Sequence, residues 1–237
     1  MSGSLDGLLS YLADIGFEDL YAPAKAGAGS SRSVEELADR RRQLEEVCAE
    51  AAGCRRCKLA ETRNSVVFGS GDPDADLMFI GEGPGAEEDR QGLPFVGRAG
   101  ELLTKIIEAI DLHRDQVYIA NVVKCRPPGN RDPEAEEVAA CRSYLEHQID
   151  LVAPKVIVAL GRVAAQSLLG TDWSLGRLRG TWHEVRGVAT RVTYHPAALL
   201  RNASYKRPTW EDMQEVRDRL AAGDGARSFH AVLGQGR

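Results

Sequence analysis

The stretch DLMFIGEGPGAEEDRQGLPFVGR, residues 76 to 98, decides the fold. It reads as a buried strand, Leu77 to Ile80, running straight into a Gly-Pro-Gly turn and a long irregular loop. Glu82 stands at the mouth of that strand, and Phe95 follows thirteen residues later. In an open α/β sheet, ligands bind in the crevice at the carboxyl ends of the strands. The stretch therefore offers a carboxylate, small residues that let a ligand approach the backbone, and a flat ring for stacking. Taken alone, such a turn serves equally well as a plain strand-to-helix connection.

Outward from it, strand and helix patterns alternate. Ala99, Leu102, Leu103, Ile106, Ile107 and Ile110 recur at helical spacing. Val117 to Val123 reads as a second strand with Asn121 near its end, and Pro127-Pro128 breaks the chain. Val138, Cys141, Leu145, Ile149 and Val152 mark one face of the next helix. Lys155 to Leu160 is apolar after its lysine, the mark of a central parallel strand. Val163 to Leu169 reads as a helix, Leu178 to Val188 as a hairpin, and Arg191 to Tyr194 as a last short strand ending at His195-Pro196. Thr209 is expected to cap a final helix to about Leu220. The class is α/β: a three-layer α/β/α arrangement around a mostly parallel, four-stranded central sheet.

The chain has 237 residues, 43% of them hydrophobic, enough for one sizeable domain plus an appendage. Residues 1 to 46 read as a short amphipathic helix (Leu5, Leu8, Leu9, Leu12), an Ala/Gly/Ser-rich linker over 21 to 32, and a helix capped by Ser33 with Glu36, the whole partly disordered. The domain is expected to occupy 47 to 222, with 223 to 237 as a frayed tail. No run of eighteen apolar residues and no basic leader precede it, so neither a membrane span nor a secretory signal is expected. A net charge of −5 excludes coating nucleic acid by bulk charge. Five cysteines in such a chain point to the cytoplasm and to metal binding or catalysis rather than disulfides.

Cys54 and Cys57 form a CxxC in a polar Arg/Lys setting, and Cys125 and Cys141 are separated by fifteen residues. Four such thiolates suit zinc or an iron–sulfur cluster, and a second pair stretched around a Pro-Pro loop favours the cluster. The plainer alternative makes Cys141 a core residue. Cys48 is the odd one out.

The motifs GEGPGAEED, GLPFVGRAG, NVVKCRPPGNRDP and HPAALLR, in that order, resemble the family 4 uracil-DNA glycosylases, the iron–sulfur branch of that superfamily, over roughly Val47 to Leu220. The resemblance implies a [4Fe–4S] cluster on Cys54, Cys57, Cys125 and Cys141. It implies Glu82 and His195 as catalytic, Phe95 stacking on a flipped uracil, Asn121 reading its edge, His195 beside O2, and backbone amides of Gly83 and Gly85 at the site. Leu199 would fill the gap left by the flipped base. Cleaving the N1–C1′ bond builds positive charge on the sugar and negative charge on uracil, so a carboxylate and a hydrogen-bond donor match those two charges. The base must leave the stack to be reached. Lys124, Arg126 and Arg131 would flank one phosphate-binding lip, and Arg201, Lys206 and Arg207 another.

The resemblance has departures. Ala197 stands where relatives often carry serine, the loop 127 to 133 lacks a histidine, and the first motif lacks the aspartate that activates water in the best-known branch. The expected protein is a monomeric, monofunctional enzyme acting on uracil-containing DNA. The competing readings are a non-catalytic iron–sulfur DNA-binding or redox module, and a nucleotide-phosphate enzyme using the GEGPG turn, against which no Lys-Ser/Thr follows.

Overall fold

The computed structural model describes residues 33 to 222. The readings made for residues 1 to 32 and 223 to 237 lie outside the described residues. The first element, α1 (Val34–Ala52), has the expected capping box: Glu36 N–H donates to Ser33 Oγ, and Ser33 N–H donates to the Glu36 carboxylate. Its Leu44 and Ala51 are buried in the same core as the rest of the chain. The boundary expected near Val47 thus falls inside one continuous helix packed on the body.

Next come β1 (Ser70–Gly71), β2 (Leu77–Gly81), α2 (Ala86–Gln91), α3 (Arg98–Glu108), β3 (Tyr118–Asn121), α4 (Ala135–Val152), β4 (Val156–Leu160) and α5 (Arg162–Leu169). They are followed by α6 (Leu175–Leu178), β5 (Trp182–Val185), β6 (Val188–Thr193), α7 (Pro196–Arg201) and α8 (Lys206–Ala222). The sheet order is β1-β3-β2-β4-β6-β5. The four inner strands are parallel neighbours, as expected, but antiparallel β1 and β5 extend the sheet to six strands.

Alternation along the fully buried strands builds the two faces. Met78 and Ile80 of β2 point to the side covered by α1 and α4, with Leu44, Tyr144, Leu145 and Ile149. Leu77 and Phe79 point to the other, with Leu103 and Ile107 of α3 and Trp210, Met213 and Val216 of α8. The result is three layers, helices on both faces of a sheet.

Three local readings change. β5 pairs with β6 through a two-residue turn, Arg186-Gly187, in which both φ are positive; this is the turn whose twist suits a tight hairpin. The expected last strand, Arg191 to Tyr194, is the continuation of that hairpin's second arm. The final helix starts at Lys206, and Thr209 sits inside it, its hydroxyl donating to Tyr205 O at 2.8 Å. The anchor of α8 is buried Asp212, which accepts from Arg179, Arg191 and Thr193.

Candidate active site

The carboxyl ends of β2, β3, β4 and β6 open into one cavity of about 550 Å³. It is lined by Glu82, Gly83, Gly85, Phe95, Asn121, His195 and Arg201, among others. Residues 113 positions apart in the chain, Glu82 and His195, meet there because each follows a parallel strand out of the same edge.

Asn121 ends β3 and is 1% exposed. Its Oδ1 is buried without a hydrogen-bond partner. An orphaned acceptor of this kind costs about 1–3 kcal/mol, and Asn121 lines the cavity. Gly81 makes room for it: a Cβ there would stand 2.4 Å from Asn121 Oδ1 and 2.6 Å from Phe95 Cζ.

Phe95 is 6% exposed and holds a left-handed φ of 52°. That backbone lies so close to α3 that a Cβ on Gly100 would come 1.8 Å from Phe95 O. The Glu88 carboxylate fixes the following turn, accepting from Val96 N–H and Gly97 N–H at 3.0 Å each. The Phe95 ring stands 5.5 Å from the His195 ring, tilted by 32°.

His195 is the N-cap of α7, and its Nδ1 accepts the Ala197 N–H at 3.1 Å. Burial lowers its pKa to about 4, with the Arg201 cation adding to the shift and Glu88 opposing it. The ring is therefore neutral near pH 7. With Nδ1 already an acceptor, the proton sits on Nε2.

Glu82 behaves in the opposite sense. Burial raises its carboxyl to about 7, Asp132 raises it further, and Arg162 opposes both. Asp132 and Arg162 also line the cavity and form an ion pair across its mouth. Neither drew notice in the sequence, because thirty positions separate them.

Other expectations are redistributed. Leu199 is 4% exposed, packed into the body, whereas Leu200 is 46% exposed. Successive helical side chains point about 100° apart, so the outward position is the neighbour of the one expected. Lys124, placed on a phosphate-binding lip from sequence, is 1% exposed in the core and cannot reach a phosphate. Arg131 is engaged with Glu137 at 2.8 and 2.7 Å, and Arg126 donates to Asn130. Arg201 remains exposed at the cavity rim, while Lys206, the first residue of α8, does not line it.

The five cysteines are free thiols, with Cys48 exposed and Cys125 and Cys141 buried. Cys54 and Cys57 pack against the cluster of buried residues that contains Cys125 and Cys141. The CxxC loop is held to α4 by Arg56, which stacks on Tyr144 at 4.5 Å and donates to Ser143 Oγ at 2.8 Å. Two donors already address the sulfurs: Arg63 Nη1 on Cys125 Sγ at 3.3 Å, and Lys124 N–H on Cys141 Sγ at 3.4 Å. Burial pushes Cys125 up to about 11, opposed by Arg63 and reinforced by Cys141 and Cys57. Among the described residues, no group of three Cys, His, Asp or Glu side chains is arranged to hold a single metal ion.

The family model described as the Uracil DNA glycosylase superfamily matches residues 68–214. The chain belongs to the uracil-DNA glycosylase superfamily. A type-4 uracil-DNA glycosylase of Sulfurisphaera tokodaii is 46% identical over 184 residues, 74% of this chain and 84% of that protein. The Thermotoga maritima type-4 enzyme is 44% identical over 184 residues, covering 75% and 95%. A type-5 uracil-DNA glycosylase of Pyrobaculum aerophilum is 35% identical over 173 residues, covering 65% and 75%. Asn121, Phe95 and His195 lie inside the residues matched by the superfamily model, whereas Cys54 and Cys57 precede them. Among the described residues no helix is long and apolar enough to cross a membrane.

Proposed function

We propose that the protein is a DNA repair glycosylase that hydrolyses the N-glycosidic bond of uracil in DNA, releasing uracil and leaving an abasic site. The observation that carries this reading is the orphaned Asn121 Oδ1, buried between the end of β3 and the Phe95 ring. A uracil stacked on Phe95 presents N3–H, a donor that this acceptor lacks, beside O4, which accepts from an amide nitrogen. Cytosine presents the reverse pattern along that edge and is refused.

Neutral His195 donates from Nε2 toward O2, where negative charge gathers as the bond breaks. Glu82, ionised, faces the positive sugar or the attacking water. Together they address the two charges that develop in the transition state. Gly83 and Gly85, which line the same cavity, offer their backbone amides on the sugar side. Exposed Arg201 at the rim meets a phosphate, and Leu200, rather than Leu199, supplies the apolar side chain that occupies the vacated stack.

Cys54, Cys57, Cys125 and Cys141 are assigned to a [4Fe–4S] centre. The donor set supports it: four thiols in one region, with a guanidinium and a peptide N–H on two sulfurs, the contacts that tune such clusters. When bound, the centre serves as a structural tie between the CxxC loop, the segment after β3, and α4. None of the five cysteines is in a disulfide, and Val34, Leu93, Trp173 and Leu200 are the exposed large hydrophobics among the described residues; we read the protein as a cytoplasmic monomer.

The test is a gel assay on a uracil-containing oligonucleotide, run with an absorbance spectrum of the same preparation. Cleavage after alkali, in a brown protein absorbing broadly near about 400 nm, is expected. A brown protein that binds DNA without cleaving it would favour the non-catalytic reading. One tightly bound zinc and no iron after anaerobic purification would remove the cluster. Cys48→Ser should leave iron content unchanged, since that thiol is exposed and lies outside the buried cluster that the other four join.

A further inference from the structure

Lys124 has no role in the chemistry above, yet it lies between the pocket floor and the thiols, 1% exposed. A buried ammonium is costly without an opposing charge. Its acceptors are neutral: Nζ donates to Asn121 O at 2.7 Å and to Gln148 Oε1. Burial pushes its pKa down to about 7, and the Cys141 and Cys125 sulfurs oppose that shift. Its own peptide N–H reaches Cys141 Sγ at 3.4 Å. Gln148, inside α4, is itself fixed by donating to Phe68 O at 2.9 Å and Tyr118 Oη at 3.1 Å.

We propose that Lys124 is a positioning residue that couples the four-cysteine centre to uracil recognition. Its ammonium holds the main chain of Asn121 while its peptide N–H holds the Cys141 sulfur that would ligate the centre. The inference rests on the reading of a [4Fe–4S] centre and of Asn121 as the uracil reader. A centre ligated by four thiolates is negatively charged, and the buried ammonium is its opposing charge. Taking that cation away favours the oxidised centre, so its reduction potential falls. The same change frees the Asn121 carbonyl and loosens the amide beyond it. Coupling through one residue is reciprocal: uracil binding and the oxidation state of the centre must affect each other by the same factor.

The iron-loaded Lys124→Met protein tests this, with iron content, midpoint potential and affinity for free uracil measured together. Expected are a more negative potential and uracil affinity about tenfold weaker, the effect of losing a hydrogen bond to a charged group. A wild-type value for either quantity overturns the coupling. Should Lys124→Met fail to fold, the wild-type protein decides: its midpoint potential with and without saturating uracil must differ, and equal potentials overturn the proposal. A wild-type protein that cleaves uracil DNA yet shows equal potentials sinks this inference alone. A protein without iron, or one that cleaves nothing, sinks the reading beneath it.

Discussion

Asn121→Asp should reduce single-turnover excision of uracil by about 100- to 1000-fold, the effect of losing one hydrogen bond to a group on which charge develops. The backbone need not move, since the two side chains are the same size. The chemistry reverses at one atom: a carboxylate cannot donate to O4, and it repels that oxygen. The native Oδ1 is already an unpaired acceptor under the Phe95 ring, so the substitution leaves N3–H its partner and removes only the donor. Phe95 and His195 remain in place, and DNA affinity should stay near wild type. Excision at the wild-type rate would show that Asn121 does not read the base.

Glu82→Gln should be nearly as damaging, about 100-fold or more, and it carries a signature in pH. The Glu82 carboxyl is raised to about 7 by burial and by Asp132. If the ionised form acts, wild-type activity climbs as pH rises through about 7, and that climb disappears in Glu82→Gln. His195 does not blur the profile, because its pKa is lowered to about 4; a ring needed as a cation would instead make activity fall as pH rises through about 6.5. The linkage has a definite sign. Folded Glu82 keeps its proton more tightly than unfolded Glu82, so ionising it between about pH 4.5 and 7 removes stability. Glu82→Gln should therefore melt higher than wild type above pH 7 while cleaving less. Full single-turnover activity in Glu82→Gln would reduce Glu82 to a pocket wall and leave His195 and the backbone amides of Gly83 and Gly85 to carry catalysis.

The parallel strands were legible because burial on both faces leaves unbroken apolar runs, as in Val156 to Leu160. The pocket residues were legible because motifs at strand ends converge by topology. What escaped has physical causes. Helices α2, α6 and α7 span only four to six residues, too short for a 3.6-residue period to register. The edge strand β1 has two residues. Lys124 was read as a surface cation because lysines are almost never buried; nothing local in NVVKCRPP distinguishes it. Leu199 and Leu200 are chemically identical, and only the rotation of α7 tells which faces out. Gly81 and Gly100 look like ordinary glycines until the atoms that exclude a Cβ are seen. The pair Asp132–Arg162 joins loops whose proximity is a property of the sheet.

The wall proposed to receive the base is rigid before any base arrives. Phe95 sits at a φ of 52°, wedged against Gly100, with Glu88 clamping the two peptides that follow. A bulky residue in that conformation persists only where its surroundings over-determine it. The entropic cost of ordering the receptor is therefore met during folding, and little remains to be met at encounter. Capture then resembles a socket filling rather than a jaw shutting. The hurdle passes to the nucleic acid, whose uracil must unstack and unpair before it fits. The enzyme's discrimination between single-stranded, mismatched and fully paired uracil is thus written mainly in the helix it visits, as the work needed to let one nucleotide go.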